Sequence, residues 1–122
     1  MTTVAQTNRD LVVGAVEAAQ AGNMEGFVGS LHPDVVVHEP DYLPYGGDYH
    51  GPDGFLELFG KATQLLDFPT MTVLSATADE DRTVLLMTCN LIASSEQVYL
   101  TEHWRVQDGL IRDVRVFWFS LP

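Results

Sequence analysis

The chain of 122 residues is poor in cysteine and in basic residues. Cys89 is its one cysteine, which excludes an intramolecular disulfide and a zinc site built from several thiolates. Lysine and arginine together number 6 against 17 acids, a formal net charge of −11. Binding to nucleic acid needs clustered basic side chains, so this balance argues against a nucleic-acid partner.

Long apolar runs are also missing. There is no stretch of about 20 apolar residues and no basic leader before an apolar segment, so we expect neither a membrane span nor a signal peptide. The expected location is therefore the cytoplasm. The chain is nonetheless 46% apolar and 10% aromatic, which is enough for a core. Residues 1–122 are expected to form one domain.

The acids are distributed unevenly. Residues 1–81 hold 13 acids against Arg9 and Lys61, whereas residues 82–122 hold four acids and four arginines. All of the net charge therefore lies in the first two-thirds of the chain. An acidic shell there would repel anions and tolerate neutral or cationic ligands.

Helical periodicity comes first along the chain and strand periodicity follows. Short connections between the later strands indicate an antiparallel meander, and an unstructured loop of about 13 residues follows the first strand. The pattern predicts an α+β domain with helices packed on one face of a curved sheet. The predicted helices are 4–21, 23–31 and one that begins at 52, and the predicted strands are 35–39, 70–78, 83–93, 97–106 and 110–119.

The turn at Asp108-Gly109 decides the register of the last two strands. A two-residue turn would set Glu102 opposite Arg115, whereas a three-residue turn would set it opposite Val114. We favour the second, because it gathers the apolar residues on one face. That face would hold Val98, Leu100, Trp104, Val114, Val116 and Trp118, and the polar face would be left with Phe117 and Phe119.

Glu102 is the most informative single residue. Strand alternation puts it on the apolar face between Leu100 and Trp104, where an ionised carboxylate is costly without partners. Desolvation would raise its pKa and favour the neutral acid, which can donate a hydrogen bond to a developing oxyanion. The alternative is a structural acid that an arginine or a backbone amide satisfies.

Glu39 ends the first strand beside the long loop, a common position for a functional group, although an exposed charge is the alternative. His38, His50 and His103 show no metal-ligand spacing, so no metal site is expected. We expect these histidines to be satisfied or exposed, with His103 facing Asp113 across the sheet.

Three tyrosines, Tyr42, Tyr45 and Tyr49, are spaced through the loop. Their hydroxyls could serve as hydrogen-bond donors at the mouth of a pocket. The alternative is that the rings only anchor the loop.

Three segments follow one another in a characteristic order: LVVGAVEAAQAGNMEGFVGSLHPDVVVHEP, then a loop with YGGDYHGPDGFLELF, then TEHWRVQDGLIRDVRVFW. Together they cover about residues 11–119 and resemble the ketosteroid-isomerase-like and SnoaL-like members of the nuclear-transport-factor-two superfamily. The resemblance implies a cone-shaped α+β fold. In it, three N-terminal helices close over a strongly curved, mostly antiparallel sheet and leave a deep apolar pocket. It also implies a homodimer formed through the sheet.

The resemblance also implies roles for particular residues. In ketosteroid isomerases a proton-shuttling carboxylate stands just before the proline that ends the first strand, and HEP places Glu39 there. A protonated acid in a stretch like DHF polarises the substrate carbonyl, and EHW places Glu102 there. The tyrosine that completes their oxyanion hole corresponds to Ala15. In related epoxide hydrolases an arginine and a second acid correspond to Leu100 and Val116, which disfavours epoxide hydrolysis.

We therefore expect an enzyme of isomerase or cyclase type that needs no cofactor and transfers a proton next to a carbonyl of an apolar small molecule. Glu39 would be the general base and Glu102 the neutral donor. The alternatives are a module of the same fold that binds an apolar ligand without chemistry, or one that only dimerises. The expected substrate-binding residues are Phe27, Tyr42, Tyr45, Tyr49, Phe55, Phe59, Leu100, Trp104, Val116 and Trp118.

Overall fold

Helices occupy the first half of the chain and strands dominate the second. The computed structural model describes residues 3–119. Its helices are α1 (Val4–Gln20), α2 (Met24–Gly29) and α3 (Gly51–Ala62). Its strands are β1 (Leu31–Glu39), β2 (Gly47–His50), β3 (Leu66–Ala78), β4 (Arg82–Leu91), β5 (Gln97–Gln107) and β6 (Leu110–Trp118). Among these residues no helix has the length and apolarity needed to cross a membrane.

The six strands form one sheet in the order β2-β1-β6-β5-β4-β3. The pairing of β1 with β6 is parallel and every other pairing is antiparallel. Bulges interrupt the pairing of β3 with β4 and of β5 with β6, and bulges increase the local twist and bend of a sheet. The predicted α+β architecture, with a curved and mostly antiparallel sheet, is confirmed.

The three helices pack against one face of the sheet, which we call the inner face. Each contributes buried apolar side chains, such as Val12 of α1, Phe27 of α2 and Phe55 of α3. The central strands contribute alternate residues to the same core, among them Leu85 and Val114, which are fully buried. We call the opposite face of the sheet the outer face.

The first strand is longer than predicted, and the loop after it is partly structured. β1 begins at Leu31, because the parallel pairing with β6 tolerates an irregular stretch between Leu31 and Val36 that accommodates a proline. The expected unstructured loop is wrong for residues 47–50. These residues form β2, which pairs with the end of β1 after two successive turns between Pro40 and Gly46.

The predicted register of β5 and β6 is wrong, whereas the predicted sorting of faces is right. Asp108 and Gly109 form a two-residue turn with positive φ angles of 54° and 75°. A bulge between Arg105 and Val106 then shifts the pairing by one residue, so that Glu102 lies opposite Val116. The favoured register sets Glu102 opposite Val114, so the observed register differs from it by two residues. Side chains alternate with a period of two along a strand, and a shift of two therefore keeps the same residues on each face.

The turn yields a stability prediction. An added Cβ meets nothing within 4 Å at Gly109 or at Gly14, but only Gly109 has a positive φ. We expect Gly109→Ala to lower the free energy of unfolding by about 1 kcal/mol, because alanine strains a left-handed backbone. Gly14→Ala, on the exposed side of α1, should raise it by roughly 0.5–1 kcal/mol. Urea unfolding of both variants checks this, and equal signs would contradict it.

Candidate active site

A cavity of about 70 Å³ lies between the three helices and the inner face of the sheet. Its lining is apolar apart from a few polar side chains. Glu39 and Glu102 both line it. So do eight of the ten residues expected to bind a substrate: Phe27, Tyr45, Phe55, Phe59, Leu100, Trp104, Val116 and Trp118.

The other two expected residues, Tyr42 and Tyr49, lie outside the cavity lining. Tyr42 is half-exposed on the loop between β1 and β2. Tyr49 is buried on β2, where its hydroxyl donates to the Tyr45 carbonyl oxygen at 2.7 Å. Lys61 lies 5.2 Å from the centre of the Tyr49 ring. Tyr49 therefore anchors the segment that carries Tyr45.

Several lining residues were not expected from the sequence. They come from the buried stripes of α1 and α3, from the start of β3 and from the inner face of the sheet. The helical periodicity marked some of them as core residues, but it could not separate a cavity wall from a filled core. They are Val16, Ala19, Gln20, Val37, Leu58, Ala62, Leu66, Phe68, Met71, Met87 and Val114.

Strand pairing sets the relation between the two carboxyls. Val37 of β1 lies beside Val114 of β6, and this parallel register carried two residues further places Glu39 beside Val116. Val116 lies opposite Glu102 of β5. The two glutamates therefore flank Val116 on the inner face, one strand to each side. Neighbouring strands are about 4.8 Å apart, which puts the two Cα atoms roughly 10 Å apart.

Burial governs the ionisation of both acids. Desolvation, followed by the nearby Glu102 charge, raises the pKa of Glu39 from 4.5 to about 8. Desolvation also raises the pKa of Glu102 from 4.5 to about 7, and the Trp104 side chain partly opposes that rise. Between these two values the pair holds one proton. The two acids share this proton, whereas the sequence led us to expect the neutral acid at Glu102.

Tyr45 brings a hydroxyl to the same cavity. Its side chain is buried, and burial raises its pKa further above the ordinary value of 10 than any charge does, with Glu39 the next largest cause. The phenol therefore stays neutral and can donate a hydrogen bond. Ala15, at the position where the resemblance places an oxyanion-hole tyrosine, is buried and offers no donor.

Two polar atoms of the cavity lining are buried without a hydrogen-bond partner among the described residues. They are Glu39 Oε1 and Trp104 Nε1. Thr83 Oγ1 and His103 Nδ1 share this property, but neither residue lines the cavity. Buried polar atoms in native proteins are nearly always paired, so these two atoms are available to a molecule that enters the cavity.

The histidines lie away from the cavity. Both ring nitrogens of His38 lie 2.8 Å from a carboxylate oxygen, one of Asp48 and one of Asp113. The expected pairing of His103 with Asp113 is wrong, because the bulge sets His103 opposite Arg115. Within residues 3–119 no group of three or more histidine, cysteine, aspartate or glutamate side chains is arranged to hold a metal ion.

The chain is similar in sequence pattern and in fold to known proteins. The sequence pattern of the SnoaL-like domain matches residues 12–114. A search of curated proteins gives no match. Among solved structures, Bal32a from a soil-derived mobile gene cassette has a TM-score of 0.84 at 16% identity, covering 97% of this chain and 93% of that one.

Two further solved structures carry functional names. A "putative ketosteroid isomerase" from Kribbella flavida has a TM-score of 0.78 at 21% identity and covers 98% of this chain and 83% of that one. A "putative polyketide cyclase" from Sinorhizobium meliloti has a TM-score of 0.73 at 18% identity, with coverages of 88% and 94%. At these identities the likeness shows the fold.

The raised pKa values predict how stability depends on pH. The folded protein retains protons that the unfolded chain releases above pH 4.5, so the free energy of unfolding falls as pH rises from about 4.5 to about 8. We expect Glu39→Gln or Glu102→Gln to be more stable than the parent by roughly 1–3 kcal/mol at pH 9, with little difference at pH 4. Urea unfolding at the two pH values measures this.

Glu17→Gln is the matched control, since it removes the same charge from an exposed position on α1. Its effect on the free energy of unfolding should be small at both pH values. A pH-independent effect of the cavity variants, or an equal effect of the control, would contradict the burial of the two charges.

Proposed function

Because the chain belongs to the SnoaL-like domain family, we propose that it is a cofactor-independent acid–base enzyme acting on an apolar small molecule. The reaction moves a proton at a carbon next to a carbonyl group. The single observation that carries this proposal is a pair of carboxyls with raised pKa values in one apolar cavity. Paired titratable groups whose pKa values lie near neutrality are suited to general acid–base work.

A carbonyl oxygen beside Glu102 would settle which acid holds the shared proton. Such an oxygen accepts a hydrogen bond only from the protonated form of Glu102, so binding favours that form. The same proton cannot then reside on Glu39, which is left as the carboxylate. A bound carbonyl thereby places the shared proton on Glu102 and assigns the base role to Glu39.

The proton transfer balances within the pair. Glu39 takes the proton from the carbon next to the carbonyl, and the electron pair of that C–H bond moves to the carbonyl oxygen as an enolate. Glu102 stabilises this oxyanion by its hydrogen bond, and the neutral Tyr45 hydroxyl is a further donor in the cavity. Glu39 then returns the proton to a different carbon in an isomerisation. In a cyclisation the enolate carbon instead attacks a second carbonyl carbon of the same molecule. The π electrons of that second C=O bond move to its oxygen, which takes the proton held by Glu39.

The cavity wall sets the kind of substrate. The rings of Phe27 and Phe55 meet edge to face with centroids 5.0 Å apart, and Phe55 stacks on Trp104 at 6.2 Å. Leu100 and Val116 are apolar wall residues at the positions where epoxide hydrolases would have an arginine and an acid, so epoxide hydrolysis has less support. The names of two structural neighbours, an isomerase and a cyclase, agree with the proposed reaction class.

A second candidate is a module that binds an apolar ligand without chemistry. The apolar lining favours it as much as it favours an enzyme. The two carboxyls separate the candidates, because burying them costs stability that a pure binding site would have no need to spend.

Activity tests this directly. We expect the protein to convert cyclohex-3-enone to cyclohex-2-enone, with a bell-shaped pH profile of kcat/KM limited by apparent pKa values near 7 and 8. Below the lower value no carboxylate base is available, and above the higher value no neutral acid remains. Glu39→Gln and Glu102→Gln should each lower kcat/KM by at least about 100-fold.

Glu17→Gln should retain the parent rate, because this residue is exposed on α1 and does not line the cavity. Deuterium exchange of ketone α-hydrogens, followed by NMR, reports the same step when isomerisation is slow. Parent rates in both cavity variants would reject the acid–base scheme and leave the binding module.

We also propose that the protein forms a homodimer through the outer face of the sheet. Tyr99 and Phe117 are about half-exposed there, Phe119 is 87% exposed, and all three line an apolar groove. Residues 82–122 carry no net charge, whereas residues 1–81 carry −11. Two copies therefore repel each other least when they meet through the strands.

Sedimentation velocity tests the dimer. We expect the parent protein to sediment with the mass of two chains and Phe117→Glu with the mass of one, because the variant buries a charge at the contact. Leu56→Glu changes another exposed apolar residue, on α3, and should remain dimeric. A parent protein that sediments as one chain at micromolar concentration would overturn this proposal.

A further inference from the structure

One buried donor in the cavity has no part in the proposed proton transfer: the indole N–H of Trp104. Its side chain is 3% exposed, and Nε1 has no hydrogen-bond partner among the described residues. Leaving a buried N–H unpaired costs free energy, because the donor has lost its hydrogen bond to water. Such a group in the wall of a cavity is available to a ligand that can accept its hydrogen bond.

Two protein groups compete with a ligand for this N–H, and neither forms the bond. Glu102 projects from the same face of β5 two residues earlier. The indole lies near enough to lower the pKa of that carboxyl through a hydrogen-bond contribution, but the two groups do not meet the geometry of a full hydrogen bond. Thr83 lies directly across the strand pair from Trp104, and its own hydroxyl is also unpaired. The N–H is therefore free for a molecule in the cavity.

The aromatic wall fixes the direction of the indole. Phe55 stacks on Trp104 at an interplanar angle of 27°, and Phe55 is itself held edge to face by Phe27. A ring packed on a neighbouring ring in a buried core has little freedom to turn its N–H elsewhere. The donor is thus set in advance on the same face of β5 as the Glu102 carboxyl.

We propose that Trp104 Nε1–H donates a hydrogen bond to a neutral carbonyl oxygen of the ligand, the same oxygen to which Glu102 donates. The ligand class is then a small, uncharged ketone or aldehyde whose flat apolar ring lies against the aromatic wall. A carboxylate ligand is disfavoured, because two acids already share the cavity. The hydrogen bond from Glu102 rests on the proposed function, whereas the hydrogen bond from the Trp104 indole does not.

The experiment compares indan-1-one with indane, two molecules of the same ring system with and without the carbonyl. The chain contains two tryptophans, Trp104 and Trp118, and both line the cavity. A ¹H–¹⁵N spectrum of the labelled protein therefore shows two indole signals, which Trp104→Phe and Trp118→Phe assign. We expect indan-1-one to move the Trp104 indole proton downfield during titration, and indane to leave it nearly unchanged.

Affinity gives the second measurement. We expect the parent protein to bind indan-1-one about tenfold more tightly than indane. Trp104→Phe should reduce this ratio about five- to tenfold, which corresponds to one hydrogen bond of about 1–1.5 kcal/mol. Trp118→Phe removes an indole from the same cavity and should retain the parent ratio. The indole shift is measured in the parent protein, so the inference stays testable if Trp104→Phe folds poorly.

Three results would overturn the inference. One is an equal ratio in Trp104→Phe and Trp118→Phe, and another is a Trp104 signal that stays in place while the ketone saturates the cavity. In both cases the N–H would serve water or a protein group. The third is no binding of either compound. None of these measurements requires turnover. The inference about Trp104 can therefore fail while the acid–base scheme stands, because that scheme is tested by the Glu39 and Glu102 variants.

Discussion

Two carboxyl groups lie in one apolar cavity, and most features of the site follow from that constraint. Neither acid can ionise cheaply, since desolvation raises both pKa values toward neutrality. Val116 separates them as a wall residue on the strand between. The helices contribute mostly apolar side chains, so the cavity offers the acids few other partners. The other polar side-chain groups of its lining are the neutral Tyr45 hydroxyl, the Gln20 amide and the Trp104 indole N–H.

Much of this arrangement could be predicted from the sequence because it depends on periodicity alone. Alternation along β5 placed Glu102 on the apolar face, and that placement survived a wrong register, because the true register differs by two residues. The bulge between Arg105 and Val106 could not be predicted, because it depends on the twist of the whole sheet and no local sequence signal marks it. β2 was missed for a similar reason: it is short and exists through its pairing with β1.

The details of the cavity depend on side-chain packing and were beyond sequence reasoning. Tyr42, Tyr45 and Tyr49 look alike in the loop, yet one is exposed, one lines the cavity and one anchors the segment. The proposed role of Trp104 depends on one atom, Nε1, being unpaired, and no sequence pattern reveals whether a side-chain atom has a partner. Ala15 shows the complementary case. The first helix gives the cavity no hydroxyl, only the Gln20 amide at its last residue, and the other donors come from the sheet and from the segment before β2.

The parallel pairing of β1 with β6 has a consequence for how the protein is made. Residues 31–39 are synthesised well before their neighbour in the sheet, residues 110–118. Until then β1 has only β2 beside it, and its other edge is unpaired. During synthesis the growing chain therefore exposes an apolar strand edge that a chaperone or a second nascent chain can bind. The carboxyl of Glu39 reaches its place beside Val116 only after β6 has been synthesised.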